Sequence, residues 1–552
     1  MTGRTGAGRW NRWAIALVLT MTATTAVLPE SAGAAVAQRA RSTDLNGDGA
    51  ADVVVASSAR LTRWTDPAMG AADLGGSVYL LPGGPTGARP AQALLNQDNS
   101  PTVPGSSELG DTFGQSVATG DFDNDGKADV AFGNPHEEVG GILDAGAVTV
   151  QYGQSAAPYL GAGAGGLTWV DQNAQGIPGD NEPHDRFGTS LITGYFNDDA
   201  YADLAIGAPG EAVGTAFEAG RVTVLYGGPT GLAATGAQHF DGTVAGAAEP
   251  FDHFGASLAA ADLKGDGRDD LAVLASGEFI GGVNGAWGAA IVLTGSTSGL
   301  DATAPAVINV GNTGTSGHVR TLVAGRFHGS AYADLALFAD QRRGAAPRSG
   351  AVVVAPGGST GIGGTPVVPL ANSSAYADAY WGGALAAGDV NGDGLDELAV
   401  GALRGSGGTG SVTVFIGDPA GLTARPSATF TEDSAPLTAV AKPGEGFGYA
   451  VSLQDHTGDG LAELLVSAPW EDATAEVART STTGSTLFEL GLTIPASGPA
   501  SLTSALATQA SGTSAFGPGG VGLAGGVTAL TENGVEPFPW LDRLPPLFPT
   551  AS

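Results

Sequence analysis

Five stretches set oxygen-bearing side chains at one nine-residue spacing. They are Asp44-Leu-Asn-Gly-Asp-Gly-Ala-Ala-Asp52, Asp121-Phe-Asp-Asn-Asp-Gly-Lys-Ala-Asp129, Asp262-Leu-Lys-Gly-Asp-Gly-Arg-Asp-Asp270, Asp389-Val-Asn-Gly-Asp-Gly-Leu-Asp-Glu397 and Asp455-His-Thr-Gly-Asp-Gly-Leu-Ala-Glu463. Side-chain oxygens fall at positions 1, 3, 5 and 9, and position 7 offers its carbonyl. That is the hard-oxygen set calcium takes, and glycine at position 6 permits the tight turn. The chemistry expected is calcium binding.

The ligand sets are unequal. Asp44, Asn46, Asp48 and Asp52 are complete, as are Asp121, Asp123, Asp125 and Asp129, and Asp389, Asn391, Asp393 and Glu397. Asp455, Thr457, Asp459 and Glu463 form a slightly weaker set. Lys264 replaces the third ligand beside Asp262, Asp266 and Asp270, so an ammonium stands where the ion would be. A worn copy from Tyr195 keeps Asn197, Asp199 and Asp203, whereas the copy from Arg326 to Asp334, with His328 and Ser330, has lost the metal. Any single copy reads as an Asp/Asn/Gly turn. Four full copies in register do not, because converging carboxylates repel one another without a cation.

Other catalytic patterns dissolve. Gly357-Gly-Ser359-Thr-Gly361 fits a nucleophile elbow, but Gly83-Gly-Pro-Thr-Gly87 and Gly227-Gly-Pro-Thr-Gly231 repeat it with proline in place of serine. It is a repeat turn. The histidines, at 136, 184, 239, 253, 318, 328 and 456, show no compact metal spacing, and His184 and His253 sit at a rim just before Phe-Gly.

The acidic loops recur with companions. After each comes a short apolar run such as Leu204-Ala-Ile206 or Leu398-Ala-Val400, then a second run opened by glycine, such as Gly146-Ala-Val-Thr-Val or Gly410-Ser-Val-Thr-Val. Both are strand-like. Ahead of most loops sits Phe-Gly or Trp-Gly, at Phe113, Phe187, Phe254, Trp381 and Phe447. The loops start at 44, 121, 195, 262, 326, 389 and 455, leaving room for a fourth strand in each repeat. Four short antiparallel strands repeated seven times predict an all-β, seven-bladed β-propeller, since a closed ring removes sheet edges that a stack would expose. The first repeat must open near Arg39 to Thr43. The seventh lacks an obvious fourth strand, which residues 520–530 would supply, across a low-complexity linker from Thr493 to Gly517; the tail from Pro537 is proline-rich.

Phe-Gly, an Asp-x-Asn-x-Asp-Gly-x-x-Asp loop and then Gly207-Ala208-Pro209, with near copies at Gly133-Asn134-Pro135 and Ser467-Ala468-Pro469, resemble FG-GAP repeats. Integrin α-subunit propellers and the propeller of glycosylphosphatidylinositol-specific phospholipase D carry this pattern. The resemblance covers about residues 40–490. It implies a seven-bladed propeller, residues 38–492, with calcium in some loops; it does not fix what the ring binds.

Composition sets the surroundings. A net charge of −32 repels phosphate backbones, so nucleic acid is not an expected partner. The absence of cysteine removes disulfides and thiol chemistry. Arg4, Arg9 and Arg12, an apolar run from Trp13 to Leu28 and Ala35-Val36-Ala37 read as a signal peptide over 1–37, too short to span a membrane. The expected protein is a secreted monomer that binds an extracellular protein or glycan, with a phospholipase- or glycan-directed hydrolase and a cell-envelope component as alternatives. The binding face would lie opposite the acidic loops, drawing on His136-Glu-Glu138, Phe217-Glu218, Glu278-Phe279, Trp287, Arg342-Arg343, Arg404 and Trp470-Glu-Asp472.

Overall fold

The structure, a computed structural model, describes residues 43–57, 76–85, 93–98, 110–278 (without 158 and 164), 287–309, 318–340, 350–362, 368–370, 381–402, 408–424, 427–437, 445–468, 485–495, 499–510, 521–523 and 526–527, with isolated positions at 103, 105, 106, 108, 441 and 442. The signal segment 1–37, Phe279, Arg342-Arg343, Arg404, Trp470 to Asp472 and the proline-rich tail lie outside the described residues.

The chain is all-β, a propeller of seven antiparallel sheets, each running from an inner strand outward. Blade 2 is typical. Ser116–Gly120 is innermost, followed by Asp129–Asn134, Ala147–Gly153 and Leu160–Gly161, with Trp169–Val170 also pairing to the third strand. Blade 3 repeats this with Ser190–Gly194, Asp203–Ala208, Arg221–Tyr226 and Ala233–Asp241. Blades 4, 5 and 6 begin at Phe254, His318 and Trp381, and blade 7 at Val451. The second strands Asp129–Asn134, Asp203–Ala208, Asp270–Ala275 and Glu397–Ala402 are buried at every position. Each is flanked by strands on both edges and packed by neighbouring blades on both faces, which is why its sequence runs apolar without alternation.

The core is a series of wedges between blades. Phe113 and Phe132 join Val54, Val78 and Leu80 between blades 1 and 2, and Phe187 joins Val148 and Ile206 between blades 2 and 3. Comparable clusters fill the junctions 3–4, 4–5, 5–6 and 6–7. The Phe-Gly aromatics are fully buried in these wedges. The glycines that open the third strands of blades 1, 2, 3 and 6 make room for them: a Cβ on Gly220 (φ +88) would lie 2.3 Å from the carbonyl oxygen of Phe254, one blade on. Blade 5 lacks Phe-Gly, and Val319 takes the aromatic's place, its N–H donating to Trp287 as Phe187 donates to Ala145.

Three expectations need correction. The fourth strand of blade 7 is Ser501–Ala510, pairing with Ser485–Thr493 inside the stretch read as linker, so the propeller runs past residue 492. An outer edge strand needs only partial burial, so Ser, Ala and Thr suffice there and leave no apolar run to find. The inner strand of blade 1 is shared. Asp52 N–H donates to Thr43 at 3.0 Å, and further along Val521–Leu523 pairs with Val53–Ser57. Val521–Leu523 thus lies in blade 1, not in blade 7, and Gly526–Val527 goes on to pair with the inner strand of blade 6.

Gly220→Ala should cost about 2–4 kcal/mol, combining left-handed backbone strain with overlap on Phe254. Gly236→Ala, at φ +88 with open space around it, should cost about 1 kcal/mol. Urea midpoints measure both, and equal small losses would show that the third strand does not pack against the next blade in this way.

Candidate metal centre

Every acidic loop connects the inner strand of a blade to its second strand, so all seven share one face of the ring. A backbone belt ties them together. The position-8 N–H of each loop donates to the position-1 carbonyl of the preceding loop: Ala128 to Asp44, Ala202 to Asp121, Asp269 to Tyr195, Ala333 to Asp262, Asp396 to Arg326, Ala462 to Asp389 and Ala51 to Asp455, all between 2.7 and 3.0 Å. The last bond closes the circle.

The ninth residue of each loop turns inward. Asp129 accepts the Phe122 N–H at 2.8 Å and the Gly153 N–H at 2.9 Å, clamping the start of its loop to the end of the third strand. Asp52 does the same with Leu45 and Gly83, Asp203 with Phe196 and Gly227, and Glu397 with Val390 and Gly417. Asp270 keeps the Gly295 bond and Glu463 the His456 bond. Asp334, in the loop that lost its other ligands, still holds Phe327 and Gly357 at 3.1 and 3.0 Å. Position 9 is therefore first a backbone clamp, a role the sequence pattern does not separate from metal ligation. Burial pushes Asp129, Asp203 and Glu397 up to about 8, Asp270 and Glu463 to about 7 and Asp52 to about 6, against the pull of these N–H donors.

The first residue folds back over its own loop. Asp44 accepts N–H bonds from Gly47, Asp48 and Gly49, Asp455 repeats the pattern, and Asp389 keeps the two glycine bonds, from Gly392 and Gly394. The third residue separates the loops by chemistry. Asn46 and Asn391 donate Nδ2 to Asp52 and Glu397, Thr457 Oγ1 donates to Glu463 at 3.1 Å, and His328 Nδ1 meets Asp334 at 2.7 Å. Asp123 has no proton to give. It, Asp121 and Asp129 bring carboxylate oxygens within 4.8 Å of one another, as do Asp455, Asp459 and Glu463. Such clusters could hold a metal ion, and the Asp121 loop demands one most, because carboxylates converge there with no donor at position 3. An amide turned over at Asn46 or Asn391 would present its oxygen instead and leave those loops with an oxygen set as well.

The Asp121 loop has one cation of its own, Lys127, paired with Asp125, and the Asp262 loop has two. Lys264 Nζ lies 3.4 Å from Asp266 and Arg268 Nη2 lies 2.9 Å from it, partly neutralising the loop from Asp262 to Asp270. Asn197 and Asp199 bond to each other rather than to Asp203.

The opposite face is built by the loops between second and third strands and between blades. Val139 to Ile142 and Val213 to Ala216 form matching tight hairpins on blades 2 and 3. They leave Leu143 54% and Phe217 51% exposed at equivalent positions. Phe251 packs edge-on to Phe217 at 4.5 Å, and Trp287, 37% exposed, stacks on His318. His136 and His184, distant in sequence, both place Nδ1 on Asp144, at 3.2 and 2.9 Å. Burial alone would raise Asp144, but these two bonds hold it well below the ordinary carboxylate range. Sequence spacing gave no sign of this cluster, since the tertiary pairing of the two loops creates it. Ser359 lies in a turn closed by the Gly361 N–H donating to Gly358 at 2.7 Å, as Gly231 donates to Gly228.

Comparison with known proteins gives a consistent picture. FG-GAP repeats match residues 113–150, 187–225 and 381–415. The phosphatidylinositol-glycan-specific phospholipase D of Rattus norvegicus is 31% identical over 161 residues, 29% of this chain and 18% of that protein. Integrin alpha-PS5 of Drosophila melanogaster is 32% identical over 176 residues, covering 31% and 15%, and integrin alpha-7 of Mus musculus is 31% identical over 168 residues, covering 29% and 12%. The matched region spans less than a fifth of each relative.

Asp203→Ala would strand two buried N–H groups and should cost about 2–4 kcal/mol in chelator. Asp199→Ala, an exposed position in the same loop, should cost under about 1 kcal/mol. Equal losses in urea titrations would shift the structural burden from the clamp to the outer carboxylates.

Proposed function

Because the chain carries FG-GAP repeats built as blades of a closed ring, we propose that it is a secreted, calcium-stapled binding module. The observation that carries this reading is the convergence of Asp121, Asp123 and Asp129. Asp121, Asp123, Asp125 and Asp129 would hold one ion, and Asp455, Thr457, Asp459 and Glu463 another. Asp44, Asn46, Asp48 and Asp52, and Asp389, Asn391, Asp393 and Glu397, would hold two more once their amide oxygens face in. Calcium supplies positive charge at the centre of each loop and so lets the carboxylates remain ionised side by side. At about 1 mM calcium and a Kd of about 0.1 mM, each site would add about 1.4 kcal/mol. Four such sites would replace the disulfides that a cysteine-free exported protein lacks.

The binding role falls to the opposite face. Two matching hairpins present Leu143 and Phe217 on adjacent blades, with Phe251 against Phe217 and Trp287 at the start of the third strand of blade 4, on a scaffold fixed by the wedge packing below. Apolar and aromatic side chains left exposed on a rigid frame suit contact with an extracellular protein or glycan. Among the described residues, no helix is long and apolar enough to cross a membrane. The hydrolase alternative gains nothing from Ser359, which belongs to a repeat turn.

Thermal unfolding of the protein should move up by several degrees with 1 mM calcium and back with chelator, and Asp123→Ala should remove a distinct part of the shift. No shift at all would sink the calcium reading. The pH dependence has a defined sign. The position-9 carboxyls sit above their unfolded values, so without cation their stabilising protonated form is lost as pH rises through about 6 to 8. The chelated protein should therefore be more stable at pH 5.5 than at pH 8, and calcium should reverse that order while releasing protons on binding.

On a glycan array, the wild-type protein should bind a glycan class that Phe217→Ser abolishes, with thermal stability unchanged. Binding that survives both Phe217→Ser and Trp287→Ser would move the contact off this face.

A further inference from the structure

The four loops with complete oxygen sets, starting at Asp389, Asp455, Asp44 and Asp121, lie on blades 6, 7, 1 and 2. These blades are consecutive around the ring, and the depleted loops occupy blades 3, 4 and 5. The arc of complete loops is centred on the seam between blades 7 and 1, where the two ends of the propeller meet. Thr43 enters the inner strand of blade 1 from one end of the chain and Val521–Leu523 from the other. Gly526–Val527 then pairs in blade 6, so the closing segment reaches both neighbours of blade 7.

The seam differs from the other junctions in its strand order: blade 1 alone takes its inner strand from two segments far apart in the chain. Buried apolar clusters join blades 1–2 through 6–7, and Val53, Val55 and Leu81 of blade 1 and Leu465 and Leu487 of blade 7, which alternate with the residues packed toward blades 2 and 6, are buried at the seam as well. Hydrogen bonds of kinds that recur around the ring cross it too, as those from Ala202 N–H to Asp121 and Gly228 N–H to Phe122 do between blades 2 and 3. Ala51 N–H donates to Asp455 at 2.9 Å, Gly84 N–H donates to His456 at 2.8 Å and Thr43 Oγ1 donates to Gln454 at 2.7 Å. At position 2 the other six loops carry Leu45, Phe122, Phe196, Leu263, Phe327 or Val390, all buried. Loop 7 carries His456 there, fully buried, with Nδ1 donating to the Ala51 carbonyl at 3.0 Å.

These crossing groups sit beside the ligand positions. Asp455 offers its carboxylate to the loop and its carbonyl to the seam, and Ala51 adjoins Asp52. The loops of the arc also touch one another. A Cβ on Gly458 would lie 3.0 Å from the Gly49 carbonyl, one on Gly392 3.0 Å from Leu461 and one on Gly47 3.4 Å from Lys127. An ion that fixes one loop therefore restricts the next. We propose, resting on the calcium reading above, that calcium in this arc is the latch of the ring: it holds the seam between blades 7 and 1 shut, and its loss opens the ring there before any other junction loosens.

Hydrogen exchange of the full chain, with 2 mM calcium or with chelator, tests this alongside calcium uptake by equilibrium dialysis. On chelation, exchange should accelerate at least tenfold in Val53–Ser57 and Val451–Gln454 while Asp203–Ala208 and Asp270–Ala275 stay protected. Asp459→Ala should reproduce the seam opening in saturating calcium, and Asp266→Ala, on blade 4, should not; should Asp459→Ala fail to fold, Asp459→Asn serves. Absence of calcium uptake overturns the calcium reading itself. Uptake with uniform acceleration, or acceleration first in blades 3 to 5, overturns the latch alone.

Discussion

Seven backbone hydrogen bonds of 2.7 to 3.0 Å, each from the eighth residue of one acidic loop to the first residue of the loop before, run around one face of the ring. Each is an ordinary amide–carbonyl bond worth about 1 kcal/mol on its own. Their effect comes from closure: a displaced blade must break the bonds on both its sides, and the loop conformation that presents the oxygens also presents the belt's donor and acceptor. The acidic loop is thus a structural joint whatever its side chains hold, which explains why the loops from Tyr195 and Arg326 keep their shape without the full oxygen set.

The wedges between blades impose the second constraint. Phe113, Phe187, Phe254 and Phe447 are fully buried at junctions where a glycine on the neighbouring blade lets backbone approach backbone. Large ring and absent side chain are two halves of one contact. Val319 in blade 5 shows how much variation that contact tolerates, since a smaller residue can occupy the place while the N–H bond to the preceding blade is kept.

The two faces then divide the work. On one, carboxylates are drawn together by the turn of each loop, and the balance between a donor at position 3 and a second carboxylate there decides which loops call for a cation. On the other, the longer loops are free of the belt and differ from blade to blade. Asp144 gathers His136 and His184 there, and Leu143 and Phe217 stand exposed on equivalent hairpins. A rigid ring lets this face vary without cost to the fold.

Repetition made much of this legible in the sequence. Seven acidic loops, seven glycine-led runs and the Phe-Gly pairs identified the blades, because each feature answers a local demand: a turn, a buried strand or a close approach. Contacts between segments far apart in the chain left no such mark. Ser501–Ala510 could be placed in blade 7 only by its pairing, since an edge strand asks little of its side chains. The division of the inner strand of blade 1 between Thr43 and Val521–Leu523 is likewise decided by where the ends meet. The clamp role of Asp52, Asp129 and Asp203 was hidden because a carboxylate that accepts two backbone N–H groups and one that faces a cation are the same residue at the same spacing. Local chemistry repeats and can be read from one chain; which N–H groups each carboxylate clamps and which blade closes the ring depend on partners that only the folded ring brings within reach.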